Sequence, residues 1–214
     1  MDVKTYVDKA PDPWGLLETG VDKRRAALIK RHIGKAGMVL DVGCAFGIYS
    51  NFLRSLGNYV VSLDASKRMV SAGKKLFSEL TFVLGSGESL PFMNNTFNSI
   101  LCMGTLIYSA DRRKFLSEFY RTLRKRGRLC IIERNRNSPM HSLVRKLKKN
   151  EKSVDNPSNY FTRAELEKLL VSTGFRIKKA SGDYVSMPFS SGFASLAEAF
   201  PSLAYFLVFE CEKE

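Results

Sequence analysis

The stretch LDVGCAFGIYS, residues 40–50, joins a short apolar run to a turn that contains two glycines. The run Met38–Leu40 is apolar and partly β-branched, as a buried parallel strand is, and helical spacing of apolar residues resumes at Ile48. Glycines 43 and 47 let the backbone approach a ligand closely, and the helix that follows begins with N–H groups that have no partner within it. The stretch therefore predicts a strand-to-helix junction that faces a polar or anionic ligand.

A second β-rich run, Asn58–Leu63, ends on Asp64, which follows Gly43 by 21 positions. In doubly wound folds, an acidic residue at about this distance, at the end of the second strand, accepts hydrogen bonds from ribose hydroxyls. The two features together predict a ligand that contains a nucleoside. From these residues alone, a nicotinamide, a flavin and S-adenosylmethionine all remain open.

The turn departs from the pattern G-x-G-x-x-G and resembles the first motif of class I S-adenosylmethionine-dependent methyltransferases, acidic-x-Gly-x-Gly-x-Gly. Asp41, Gly43 and Gly47 occupy the positions of that motif, and Ala45 replaces its middle glycine. The likeness continues in the family's order through residues 60–66, 84–92, 95–108, 115–133 and 161–175. The resemblance, to the small-molecule type of this domain, implies a methyltransferase of class EC 2.1.1 with S-adenosylmethionine as its cofactor.

The same resemblance assigns roles at the ends of the predicted strands. Asp41 is expected to orient backbone amides of the turn, and Asp64 to hold the ribose. Ser86 stands where the family commonly has an acid that reads the adenine amino group, so either Ser86 or nearby Glu88 is expected to do so. Met103 either covers the adenosyl group or belongs only to the core. The predicted cofactor-binding residues are Asp41, Gly43, Ala45, Gly47, Asp64, Ala65, Ser86, Gly87, Glu88 and Met103.

Methyl transfer needs mainly in-line alignment and exclusion of water, effects that supply about 7–11 kcal/mol. A general base is required only if the acceptor must lose a proton, and the candidates are Tyr108 and His141. The alternative for His141 is a solvated residue, which a histidine in a basic polar loop more often is. His32, at a helix end, is explained by the helix dipole. Trp14 and Tyr6 lie in a segment that either folds over the cofactor as a lid or anchors the N-terminal arm.

The chain has 214 residues, of which 44% are hydrophobic, and this fits one domain of ordinary size. We predict an N-terminal arm and helix over 1–36, a cofactor-binding half over 37–134, a basic insertion over 135–160 and a C-terminal half over 161–214. The charged N-terminus does not resemble a signal peptide, and no apolar run approaches the length of a membrane span, so a cytoplasmic protein is expected. The oligomeric state is left open.

Apolar periodicity alternates between strand and helix and predicts a doubly wound, mostly parallel seven-stranded sheet with helices on both faces. The resemblance implies an antiparallel last strand. Helices are expected over 21–33, 48–56, 66–77, 111–125 and 162–173, and strands over 38–41, 58–64, 81–84, 97–103, 129–132, 175–179 and 205–210.

Four scattered cysteines predict reduced, buried thiols rather than a zinc site. If strands five and seven are neighbours, as the resemblance implies, Cys130 and Cys211 could approach each other.

The formal net charge is +13, and the range 121–149 holds eleven basic residues and one acid, Glu133. The triplet Arg124–Arg126 is expected on the face opposite the site, where it needs only solvation. The part from Arg134 to Lys149 follows the carboxyl end of strand five, and a short amphipathic helix is expected there. It suits an anionic substrate, an RNA or a membrane-bound lipid acceptor, or is simply a solvated surface.

We therefore expect a small-molecule or lipid acceptor, because strand four ends in CMGT, without the Asn-Pro-Pro-Tyr element or Pro-Cys pair of base-modifying enzymes. An RNA methyltransferase is the alternative, supported by charge alone. A protein that binds the cofactor without catalysis is the third, since Ala45 and Ser86 both deviate from the family pattern.

Overall fold

The structure, a computed structural model, describes residues 21–139, 141, 156–183 and 204–214. These residues form five helices, α1–α5, and seven strands, β1–β7. The helices are Lys23–His32, Ile48–Ser55, Lys67–Leu76, Arg112–Thr122 and Arg163–Ser172. The strands are Met38–Val42, Tyr59–Asp64, Thr81–Leu84, Phe97–Met103, Leu123–Arg134, Phe175–Asp183 and Phe206–Lys213. Single 3₁₀ turns cover Leu106–Tyr108 and Pro157–Asn159.

The seven strands form one sheet in the order β3-β2-β1-β4-β5-β7-β6. The first five are parallel, and β7 runs antiparallel to both β5 and β6, which confirms the predicted fold class. The strand order reverses between β1 and β4. Doubly wound sheets bind ligands at such a reversal, beyond the carboxyl ends of the strands.

Side-chain caps begin most of the helices. Asp22 Oδ1 accepts the Arg25 amide at 2.9 Å, and Ser66 Oγ accepts the Met69 amide at 3.3 Å. Thr162 and Glu165 form the predicted capping box at the start of α5, each accepting the backbone amide of the other. Such caps satisfy N–H groups that have no partner in the first turn.

The two faces of the sheet bury separate apolar clusters. One cluster packs α4 and α5 against the sheet and includes Leu116, Phe119 and Leu166, all fully buried. The other packs α1 and α2 against the opposite face through Ile29 and Leu53. Helices therefore cover both faces and leave the carboxyl edge of the parallel strands to carry the site.

Several element boundaries differ from the prediction, most of all at the end of α4: this helix ends at Thr122 rather than at Lys125, and β5 begins at Leu123 rather than at Leu129. Leu123 pairs with Phe97, and Arg128 pairs with Ser99. Between these two pairs, β5 has three more residues than β4 has. The side chain of Leu123 is fully buried, whereas residues 124–126 are exposed and Arg126 has a φ of 60°. Burial of Leu123 ends the helix, although the basic residues that follow are good helix formers. β6 and β7 also extend further than predicted.

All four cysteines are buried and free. Cys211 pairs with Leu129, and Cys130 pairs with Glu210, so the two thiols occupy adjacent rungs of β5 and β7. Because they pack into different core clusters, however, their side chains lie on opposite faces of the sheet. Neighbouring strands therefore do not bring these thiols together, and burial raises the pKa of Cys130 to about 12.

His32 lies in the last turn of α1, as predicted, but its partner is a side chain rather than only the helix dipole. Its Nδ1 lies 2.8 Å from Glu210 Oε2, and the imidazole is buried. Burial lowers the pKa of His32, against the opposing effect of Glu210. This pair therefore fastens α1 to β7. None of the helices in the described residues is long and apolar enough to cross a membrane.

Candidate functional site

The predicted cofactor residues converge at the carboxyl edge of the sheet. Val42 is paired with Leu63 on one side and with Cys102 on the other, and Asp64 is paired with Leu84. The turns that follow β1, β2, β3 and β4 therefore all begin at the carboxyl edge of the sheet, next to one another. Residues 43–47 form the central turn, flanked by the β2 and β4 ends.

Three residues of the central turn have a positive φ: Gly43 (75°), Ala45 (49°) and Gly47 (83°). A Cβ on Gly43 would lie 2.0 Å from Thr105 Oγ1, and a Cβ on Gly47 would lie 2.6 Å from Phe82 Cζ. Glycine is therefore required at both positions by close packing as well as by backbone conformation. The alanine in place of the family's middle glycine is compatible with this left-handed conformation, which costs it about 1–2 kcal/mol.

Asp64 connects the turns after β1 and β2. Its Oδ2 accepts the Ala45 amide at 2.9 Å, and its Oδ1 accepts the Ser66 amide at 2.8 Å. The side chain is half-buried, and a carboxylate oxygen can accept more than one hydrogen bond. The contact with Ala45 was not apparent from the sequence. It provides a compensating interaction at the position where the motif deviates.

Asp41 is 3% exposed and accepts a hydrogen bond of 2.6 Å from the Ser50 hydroxyl in α2. It therefore joins β1 to α2 below the turn, whereas the sequence predicts that it orients backbone amides. Burial raises the pKa of Asp41 to about 7; the Ser50 hydrogen bond opposes the rise, and the nearby Asp64 carboxylate adds to it.

Replacing Asp41 by Asn should flatten the pH dependence of stability. The folded-state pKa of about 7 exceeds the ordinary value of 3.8, so the folded protein retains a proton that the unfolded chain releases between these values. The contribution of Asp41 is complete below pH ~4 and is lost as the pH rises to ~7, with a slope of at most about 1.4 kcal/mol per pH unit. Urea unfolding from pH 4.5 to 8 measures this slope. An unchanged slope in Asp41→Asn, relative to the exposed control Asp111→Asn, would contradict the assignment.

The turn after β3 contains Ser86, Gly87 and Glu88. Glu88 Oε1 accepts from the Ser109 hydroxyl at 2.6 Å, the Ala110 amide at 2.9 Å and the Asp111 amide at 3.2 Å. These bonds, led by the one from Ser109, lower the pKa of Glu88. Because they tie that carboxylate to the turn before α4, Ser86 becomes the better candidate for reading adenine.

Ser86 is exposed, and its Oγ accepts the Glu88 amide at 3.2 Å while its hydroxyl proton is donated to no group in the described residues. Gly87 is required by packing, because a Cβ there would lie 2.2 Å from Phe115 Cζ.

The turn after β4 lies against the central turn. Met103 is half-buried, and a Cβ added to Gly104 would have no atom of the described residues within 4 Å, so that part of the chain leaves the backbone open there. The amides of Thr105 and Leu106 donate to Glu133 Oε1 at 3.0 and 2.7 Å. We did not predict Thr105 or Glu133 as site residues. A single acid at the end of the otherwise apolar run LCIIE was the signal available for Glu133.

The two candidate bases lie on different segments. Tyr108 ends the 3₁₀ turn that follows β4 and is half-buried. His141 is buried, with its ring centroid 4.0 Å from that of Tyr205 and 4.8 Å from that of Tyr160. The alternative of a solvated histidine is therefore wrong, because two aromatic rings cover it.

Arg134, the last residue of β5, lies beside the same rings. Its Nη1 donates to the Tyr205 hydroxyl at 3.0 Å, and its guanidinium lies 5.6 Å from the Tyr160 centroid. We call Arg134, His141, Tyr160 and Tyr205 the basic-aromatic cluster. It lies where β5 leaves the sheet. Tyr6, Trp14 and the amphipathic helix expected after His141 fall outside the described residues.

The arrangement fits S-adenosylmethionine. The half-buried Asp64 carboxylate lies at the end of β2, its Oδ2 accepts the Ala45 amide of the glycine turn, and Thr105 of the turn after β4 packs against Gly43. Together the fold and these groups define an α/β domain with a candidate nucleoside site at the carboxyl edge of its sheet. Residues 40–131 match the family of methyltransferase domains. The chain is thus similar to this family over residues 40–131, and it shares its fold with S-adenosylmethionine-dependent methyltransferases of known structure.

Similar proteins agree with this assignment. A malonyl-[acyl-carrier protein] O-methyltransferase of Hamiltonella defensa is 33% identical over 93 residues, which are 44% of this chain and 36% of that protein. A demethylmenaquinone methyltransferase of Beutenbergia cavernae is 34% identical over 120 residues, 55% of this chain and 50% of that protein. The matched regions thus span between a third and a half of these relatives. A methyltransferase structure from Thermotoga maritima superposes with a TM-score of 0.73 at 22% identity, covering 99% of this chain and 98% of that one.

Proposed function

We propose that the chain transfers a methyl group from S-adenosylmethionine to a small-molecule or lipid acceptor. The observation that carries the proposal is the half-buried Asp64 carboxylate, which lies against the glycine turn at the carboxyl edge of the sheet. When bound there, the cofactor supplies an activated methyl group. The protein then has to hold donor and acceptor in line and exclude water.

Asp64 binds the ribose in this proposal, and Ser86 with the Gly87 backbone reads the adenine. Met103 covers the adenosyl group. Asp41 keeps the turn in place through Ser50. Ala65, which follows Asp64 directly and is exposed, contributes its backbone to the cofactor site in this proposal.

The basic-aromatic cluster supports an acceptor with a flat or apolar body and a negatively charged or acidic oxygen. Aromatic rings provide apolar walls, and the Arg134 guanidinium attracts an anion. His141 would take a proton from an acceptor hydroxyl, with Tyr108 as the other candidate base. Two of the similar proteins are named a malonyl-[acyl-carrier protein] O-methyltransferase and a demethylmenaquinone methyltransferase.

An RNA acceptor is less well supported. The exposed basic triplet Arg124–Arg126 precedes the pairing of Arg128 with Ser99, so it lies at the amino edge of the sheet, opposite the cofactor turns. Those charges therefore do not line the site.

Calorimetry and a product screen test the proposal. We expect S-adenosylmethionine and S-adenosylhomocysteine to bind, and mass spectrometry to detect methylation of a small acceptor when quinols, phenols and malonyl thioesters are offered. Incorporation into RNA instead would favour the RNA enzyme. Binding without any turnover would favour a non-catalytic cofactor-binding protein, and failure to bind would exclude all three functions.

A further inference from the structure

Glu133 is a fully buried carboxyl group at the end of β5, and it holds the turn that follows β4. Its Oε1 accepts the amides of Thr105 and Leu106 at 3.0 and 2.7 Å. Its Oε2 is buried and has no hydrogen-bond partner in the part of the chain that the structure describes. A buried carboxyl with one unsatisfied oxygen costs folding free energy, and this cost opposes the gain from the two amides that Oε1 accepts. A role outside stability can explain its presence.

The turn that Glu133 holds is in contact with the cofactor turn. The Thr105 hydroxyl lies within hydrogen-bond distance of the carbonyls of Met103 (3.1 Å) and Val42 (3.3 Å), so it spans β4 and β1. The same hydroxyl fills the space left by the absent Cβ of Gly43. Glu133, Thr105 and Gly43 therefore form one continuous chain of contacts from the end of β5 to the central turn.

Burial and the neighbouring positive groups act in opposite directions on the ionisation of Glu133. Burial raises the pKa of Glu133 to about 8, while the two amides and the guanidiniums of Arg134 and Arg112 oppose that rise. Arg112 lies at the start of α4, over the ring of Phe161 at 4.4 Å. On β4, the Cys102 thiol lies 3.9 Å from Oε1, and its own pKa is raised by burial, with Glu133 and Asp41 adding to the rise. An ionised carboxylate accepts amide hydrogen bonds more strongly than a neutral carboxyl.

We propose that Glu133 is a positioning residue of the cofactor site, which sets the affinity for S-adenosylmethionine by holding Thr105 against the Gly43 turn. The proposal rests on the proposed function only in that the site takes this cofactor. Wild-type binding is therefore measured first. If the wild type does not bind, the proposed function fails, and Glu133 has no affinity to set; if it binds, the variants test Glu133 alone.

The first comparison is Glu133→Ala against Asn58→Ala. Asn58 is a buried side chain at the amino edge of the sheet that likewise accepts two backbone amides, those of Ala36 and Gly37. By calorimetry, we expect Glu133→Ala to raise the dissociation constant at least tenfold and Asn58→Ala to change it less than twofold. An equal effect of both variants, or none from Glu133→Ala, would overturn the proposal.

The second comparison keeps the proposal testable if Glu133→Ala does not fold. Glu133→Gln retains an oxygen that can accept both amides but cannot ionise, so it should bind within about threefold of wild type at pH 7. The ratio of wild-type to Glu133→Gln affinity should rise between pH 7 and 9. Asp41 is present in both proteins, so its titration cancels in that ratio. A ratio independent of pH would show that Glu133 acts only in packing and would refute the positioning role.

Discussion

Replacing Asp64 by Ala should raise the dissociation constant for S-adenosylmethionine by about 10- to 100-fold, equivalent to ~1–3 kcal/mol. The carboxylate is expected to hold the ribose. It also accepts the amides of Ala45 and Ser66, so its loss frees both neighbouring turns. Calorimetry on the purified variant measures the effect.

Two further variants make the Asp64 result specific. Asp64→Asn keeps the size and one acceptor oxygen, so we expect an intermediate affinity. Thr162→Ala removes the capping box of α5, far along the chain from the cofactor turns, and should cost about 1 kcal/mol of stability without changing affinity. A dissociation constant unchanged in Asp64→Ala would remove Asp64 from the site.

The cofactor side of the site could be predicted because its determinants are local in sequence. A strand end, a glycine turn and an acid at the end of the next strand each occupy a few consecutive residues. Parallel pairing then brings them to one edge, as Asp64 and the central turn show. The sequence pattern alone was therefore sufficient to predict that most of these residues lie together at the carboxyl edge of the sheet.

The basic-aromatic cluster and the support of the turn after β4 depend on contacts between distant segments. Arg134 meets Tyr205 across 71 positions, and Thr105 meets Glu133 across 28. No periodicity or spacing reports such pairs. For the same reason, the end of α4 was misplaced: helix propensity favours Arg124 and Lys125, but burial of Leu123 against the sheet outweighs it.

Replacing Gly43 by Ala should have the largest effect on both folding and binding. The new Cβ would lie 2.0 Å from Thr105 Oγ1 and 2.8 Å from Thr105 Cβ. Either the Thr105 side chain or the turn that contains Gly43 must therefore move. The φ of 75° adds backbone strain. Overpacking and a left-handed non-glycine residue each cost about 1–3 kcal/mol, so we expect a loss of ~2–5 kcal/mol in the free energy of unfolding. Affinity for the cofactor should fall by at least 100-fold.

Gly57→Ala separates the two causes of that loss. Gly57 has a φ of 86°, but a Cβ at this position would have Lys35 Cε as its nearest neighbour at 3.5 Å, an ordinary contact at the amino edge of the sheet. This variant therefore introduces backbone strain alone, about 1–2 kcal/mol, and should bind normally. Adding Thr105→Gly to Gly43→Ala removes the clashing atoms and should recover part of the stability. Urea unfolding and calorimetry compare Gly43→Ala with Gly57→Ala. If Gly43→Ala loses no more unfolding free energy and no more affinity than Gly57→Ala, Thr105 does not pack against the cofactor turn, and the positioning role of Glu133 loses its physical basis.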